Sequence, residues 1–218
     1  KSTHGQDLRE PMLESRKTEV WRQVEKLRTQ HESLQPGKLP LDLVSFIELE
    51  IRLDIMPFDG LHRMFGADAA LLCDFTGMYV DEESYRLLNH STESQLNRLR
   101  FSLAHELGHF YLHRELFKEQ NISEESHLLE WLNQHEGVKY RIEQEANEFA
   151  GRLLVPREAL LNHFDEMKRA LTKMHGTTHW QNDIHIREKA CELIAPKFGV
   201  HRQSIATRFD REGIWQSP

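Results

Sequence analysis

Between Leu96 and Phe110 the apolar residues Leu96, Leu99, Leu103, Leu107 and Phe110 recur at steps of three and four, the repeat of a helix with one buried face. Set into this helix is His105-Glu106-Leu107-Gly108-His109. The two histidines are four residues apart, so they project from one side, one turn apart and nearly opposite Leu107. Two imidazoles so placed reach a single zinc ion, and Glu106 beside the first can contact a water there as general base. The spacing of Thr92 and Gln95 fits a capping box that starts the helix, and the helix is expected to end near residues 113–116.

With 14 His and 25 Glu in 218 residues, this five-residue pattern is only moderately specific by itself. A catalytic zinc also needs a third protein ligand. Glu143, Ala146, Ala150 and Leu153 fall at steps of three, four and three, which puts Glu143 on the inward stripe of a second helix over about 138–154. A buried carboxylate requires a cation, so Glu143 is the expected third ligand, with Glu145 the main rival. Glu145, Glu148 and Arg152 form a different stripe, read as solvated, with surface ion-pair spacing between the last two. Asn147 is placed to hydrogen-bond a ligand histidine. His113 continues the histidine row but lies a further turn away, so it is read as a supporting or surface residue. Cys73, in the expected strand Ala69-Ala70-Leu71-Leu72-Cys73-Asp74-Phe75, is either a small buried side chain or a thiolate that caps the zinc as an inhibitory switch.

The rest of the chain reads as α+β and mainly helical. A charged helix over 8–33 carries a thin stripe of Leu13, Val20, Val24 and Leu27, and Gln35-Pro36-Gly37 ends it. A helix over about 41–52 leads to a strand at 53–58, and residues 69–80 read as a small antiparallel hairpin or meander with its turn at 81–84. Residues 118–137 read as a polar, mobile loop. The expected organisation is an N-terminal helical extension (1–40), a metallopeptidase core (41–170) and a C-terminal helical part (171–218). No apolar run suffices to span a bilayer, and no secretory leader pattern is visible. Two cysteines fit a reducing compartment, so a cytoplasmic location is expected. A net charge of −7 argues against nucleic acid as the main ligand.

Arg98-Leu99-Arg100-Phe101-Ser102-Leu103-Ala104-His105-Glu106-Leu107-Gly108-His109, then Glu143-Gln144-Glu145-Ala146-Asn147-Glu148-Phe149-Ala150 and Leu153-Leu154-Val155-Pro156, resemble the ImmA/IrrE metallopeptidases. A looser match at Ala195–Val200, Ile205 and Arg208 falls where that family often has a helix-turn-helix-like pattern. The resemblance implies a zincin-like domain with a small antiparallel sheet beside the metal helix, and zinc held by the two motif histidines and a glutamate on the later helix. It further implies an endopeptidase that cleaves a helix-turn-helix transcriptional repressor, often encoded nearby, to induce genes under DNA damage, other stress or phage and mobile-element control. Tyr111, Tyr140 and His201 are candidates for stabilising the oxyanion. Two other classes fit the residues less well: a non-catalytic zinc-binding regulator that sequesters a repressor, and a DNA-binding regulator using residues 190–211. Intact Glu106 argues against the first.

Overall fold

The computed structural model describes residues 12–86, 93–120, 122, 124–176 and 179–215. Helix α1 (Glu14–Gln30) is followed by two short 3-10 turns, then by α2 (Leu43–Ser45), which runs directly into a π-helical turn at Phe46–Glu50. Next come β1 (Asp54–Phe58), α3 (Leu61–Phe65), β2 (Ala69–Leu71), β3 (Gly77–Asp81) and α4 (Glu82–Arg86). The remainder is helical: α5 (Glu93–Leu112), α6 (Arg114–Glu119), α7 (Glu125–Gln134), α8 (Glu136–Leu154), α9 (Arg157–His175), α10 (Ile184–Phe198) and α11 (Arg202–Arg211).

The α5–α8 pair is the largest contact between elements. The apolar stripe of α5 is buried where expected, at Leu99, Leu103 and Leu107, and meets Ala146, Phe149, Ala150 and Leu153 of α8 in one core. Small residues let the two helices approach closely. A Cβ added at Gly108 would lie 2.9 Å from the Ala146 Cα and 3.1 Å from its carbonyl oxygen. This proximity brings side chains from both helices into one site. The described start of α5 is Glu93, so the expected capping residue Thr92 lies outside the described residues.

The mainly helical α+β class holds, while the sheet differs from a wholly antiparallel one. Its order is β1-β3-β2, with β1 parallel to β3 and β2 antiparallel to β3. The hairpin therefore turns at residues 72–76, where Leu72 accepts from the Phe75 N–H, and residues 82–86 are helical rather than a turn. The expected helix over 41–52 is only a short α-helix and a π-turn, anchored by Asp42, whose carboxylate accepts from the Ser45 N–H. The described part of 118–137 is not a loop. It holds the end of α6 and all of α7, whose Leu128, Trp131 and Leu132 pack on a second apolar cluster around Phe75, Phe117 and Ile142. The polar composition there hides an amphipathic helix.

Helix α1 lies on α8. Val20, Val24 and Leu27 are buried as expected, but Leu13 is exposed. The stripe Glu145, Glu148 and Arg152 is not solvated: all three are buried, because α1 and, over Glu148 and Arg152, the end of α11 cover them. Arg16 pairs with Glu145, the Trp21 indole N–H donates to Glu148, and Arg152 donates to Glu25. Arg28 closes the row by donating to the carbonyl oxygens of Arg152 and Leu153 at 3.2 and 2.9 Å.

At the other end, Gly199 (φ 59°) ends α10 in the left-handed conformation that favours glycine, and α11 packs on α8. Arg208 is 1% exposed and donates to Glu148 and Glu212, and Arg202 donates to Glu192. Arg208 thus serves packing and pairing within the chain, while Arg202 pairs at the surface. Polar contacts of this kind do not drive folding by themselves. The burial of the core side chains does, at roughly 1.5–3 kcal/mol for each large one.

Candidate metal centre

His105 and His109 stand one turn apart on α5, facing Glu143 at the mouth end of α8's inward stripe. The His105 Nε2 lies 3.1 Å from the His109 Nε2 and 3.3 Å from Glu143 Oε2, and the His109 Nε2 lies 3.6 Å from Glu143 Oε1. One ligand atom from each residue falls within 4.8 Å of the others, and among the described residues this is the one such group of three or more His, Cys, Asp or Glu. Tetrahedral ligands at zinc bond lengths of about 2.0–2.1 Å sit about 3.3 Å from one another. The His105–His109 and His105–Glu143 separations are close to that spacing, and a donor set of two imidazoles and a carboxylate fits a zinc ion.

The rings are aimed by partners on their far sides. His105 Nδ1 lies 3.1 Å from Asn147 Oδ1. Since the amide oxygen only accepts, His105 donates from Nδ1, and its Nε2 is the nitrogen turned to the site. His109 Nδ1 lies 3.0 Å from His113 Nδ1. Asn147 therefore meets the motif histidine His105, where the spacing places it. His113 is buried and meets His109 in the same way rather than facing solvent.

Glu143 departs from the sequence reading in one respect. Its side chain is 45% exposed, because the inward stripe of α8 leaves the core and opens on the cleft at this residue. The rival Glu145 is buried and faces His113 at 3.2 Å, away from the converging ligand atoms.

Electrostatics follow from burial. Burial, together with the neighbouring His105 and His113, pushes the His109 pKa down to about 3, so its ring stays neutral and able to ligate over the physiological range. Burial also works against charge on His105, but the hydrogen bond to Glu143 and the nearby Glu106 carboxylate raise its pKa overall. For Glu143 burial raises the pKa, and the His105 hydrogen bond with the histidine charges brings it below the ordinary value. Of the carboxylates at the site Glu106 shifts furthest: burial pushes it up to about 7, against the pull of His105 and the Leu71 N–H. That N–H, on strand β2, donates to Glu106 Oε2 at 2.9 Å and fixes the carboxylate beside the ligand row.

These residues line a cavity of about 440 Å³. One wall is β2 and the turn after it, from Ala69 to Cys73; the opposite wall includes Phe117, Leu128 and Leu132. Cys73 is buried in this wall, within the Phe75–Phe117–Ile142 cluster. Tyr111 instead stacks on Phe149 in the core, where burial raises its pKa to about 12. Neither Tyr140 nor His201 lines the cavity.

A carboxylate of raised pKa beside a His-His-Glu donor set, at the edge of a small sheet in a mainly helical α+β domain, defines a zincin-like metallopeptidase architecture. The chain belongs to the peptidase M78 family: its IrrE N-terminal-like domain matches residues 70–210. The resemblance read from the two metal motifs is borne out, and with it a peptidase-type hydrolase. A comparison with curated proteins finds no match.

Proposed function

We propose that the chain is a cytoplasmic zinc-dependent endopeptidase with a narrow protein substrate, a helix-turn-helix transcriptional repressor encoded nearby, whose cleavage induces genes in a stress, DNA-damage or mobile-element response. The observation that carries the catalytic part is the geometry at one spot. His105, His109 and Glu143 each bring one ligand atom within 4.8 Å of the others, with Glu106 of raised pKa on the same cavity. When bound, zinc supplies Lewis acidity toward a scissile carbonyl and an attacking water.

Glu106 then works as the proton carrier. A pKa near 7 suits a group that must accept a proton from the attacking water and return it to the leaving amine. The Leu71 N–H holds the carboxylate in place through both transfers. Asn147 and His113 face the Nδ1 atoms of His105 and His109, which leaves the Nε2 atoms turned toward the metal site. The apolar wall of Phe117, Leu128 and Leu132 gives a substrate side chain a dry surface and keeps bulk water from the carboxylate. The choice of a repressor as substrate rests on family kinship; α6 and α7, which cover one side of the cavity, support a restricted rather than open access.

The test is cleavage of the repressor encoded beside this chain, with casein as comparison and Glu106→Gln as control. Zinc-dependent cleavage of the repressor alone is expected, lost by several orders of magnitude in Glu106→Gln. Rapid digestion of casein would remove the narrow-substrate reading, and an active Glu106→Gln would remove the catalytic one.

A further inference from the structure

A line of hydrogen bonds leaves the metal centre and ends on α1, outside the segment that matches the family. His109 Nδ1 faces His113 Nδ1 at 3.0 Å, and His113 Nε2 faces Glu145 Oε2 at 3.2 Å. Arg16 grips Glu145 with Nε and Nη2 on Oε1, at 3.0 and 2.9 Å, and Nη2 on Oε2 at 3.0 Å. Glu145 and His113 are each 2% exposed, so the contact between them is shielded from solvent.

The direction of each bond follows from the end of the line. A guanidinium only donates and a carboxylate only accepts. Glu145 must therefore accept from His113 Nε2–H, and with the ring neutral Nδ1 of His113 is the acceptor. His109 must then donate from Nδ1, and its Nε2 lone pair is left toward His105 and Glu143. A fixed tautomer and ring angle at a ligand histidine raise metal affinity. What turns Glu145 Oε2 onto His113 is the two-nitrogen grip of Arg16, supported at longer range by Arg141 Nε at 3.8 Å.

We propose that α1 is a working part of the metal centre: Arg16, through Glu145 and His113, is a positioning residue for the ligand His109. This rests on the reading of the site as a zinc centre. Two α1 contacts separate such a role from plain docking of the helix. Arg16 is half exposed, so its replacement leaves no buried hole. Trp21 also ties α1 to α8, through Glu148, but lies off the line to the metal.

The experiment uses the full chain as Arg16→Met, Trp21→Phe, His113→Phe and the double variant Arg16→Met/His113→Phe. Zinc dissociation constants are measured by chelator competition, and cobalt(II) absorption spectra report the ligand field. Arg16→Met should weaken zinc roughly 10-fold or more and shift the cobalt bands, whereas Trp21→Phe should leave both unchanged. In the His113→Phe background, Arg16→Met should cost nothing further, since the line is already cut. Zinc affinity of Arg16→Met within about twofold of wild type, or equal losses in Arg16→Met and Trp21→Phe, would overturn the proposal. Should His113→Phe not fold, that single-variant comparison still decides. A wild-type chain that binds no zinc overturns the metal-centre reading and this inference with it; equal zinc binding by wild type and Arg16→Met overturns the inference alone.

Discussion

Glu106 offers a measurement that needs neither substrate nor metal. Its carboxyl is raised from 4.5 to about 7 by burial in the folded chain, a difference of about 3 kcal/mol between its two protonation states. The folded state holds the proton more tightly than the unfolded one. Stability is therefore undiminished below about pH 4.5, falls as pH rises toward 7, and stays lower above it. Glu106→Gln has no charge to bury, and its amide oxygen still accepts from the Leu71 N–H. The metal-stripped variant should thus exceed wild type in stability by about 3 kcal/mol at pH 8, and by less than about 1 kcal/mol at pH 5. For a chain of this size the pH 8 difference corresponds to about 6–12 °C in Tm. Denaturant and thermal unfolding in excess chelator, at both pH values, give the two differences. A variant no more stable than wild type at pH 8, or a gap that does not close toward pH 5, would refute the account of Glu106 as a buried, strained carboxylate.

Three further outcomes are expected. The purified protein should hold one zinc per chain, and His105→Ala, His109→Ala and Glu143→Ala should each lower occupancy sharply in elemental analysis; full zinc in Glu143→Ala would exclude it as a ligand. Gly108→Ala should destabilise by about 1–3 kcal/mol in denaturant titrations, because its Cβ meets Ala146 backbone at 2.9 Å; an unchanged midpoint would show that the helices separate freely. For Cys73, zinc-edge X-ray absorption separates cap from wall. Its place in an apolar cluster leads to nitrogen and oxygen neighbours only, with Cys73→Ala altering stability but not basal cleavage, whereas a sulfur near about 2.3 Å and a raised basal rate would identify the switch.

What could be read from the chain follows the range of the interactions involved. His105, Glu106 and His109 were legible because their geometry is set within one helical turn, and Glu143 because a three-four-three stripe marks which side of α8 meets α5. The exposure of Glu143 was not legible, since the stripe itself does not say where the core ends and the cleft begins. The stripe Glu145, Glu148 and Arg152 has the pattern of a solvated face. Only α1, more than a hundred residues earlier, and α11, some sixty residues later, turn it into an interior. His113 stood in plain view at the next step of the histidine row, yet its role depends on Glu145 and Arg16, which no local spacing joins to it. The parallel pairing of β1 with β3 was hidden for a similar reason: α3 and β2 intervene, and alternation within a strand carries no information about its neighbour.

The order β1-β3-β2 has a practical consequence for how the chain can be divided. The family match begins at residue 70, one residue into β2. A fragment cut there keeps β3 but loses β1, which supplies all the parallel pairing from Gly77 to Asp81. Met78 and Val80, almost wholly buried in the intact chain, would then stand beside an unpaired row of backbone donors and acceptors. An apolar open edge of that kind recruits strands from other molecules. The same cut strips Val20, Val24, Leu27, Phe46 and Ile47 from the core. The span of the family match is thus shorter than the packed unit, and a fragment trimmed to it is expected to aggregate in size-exclusion chromatography.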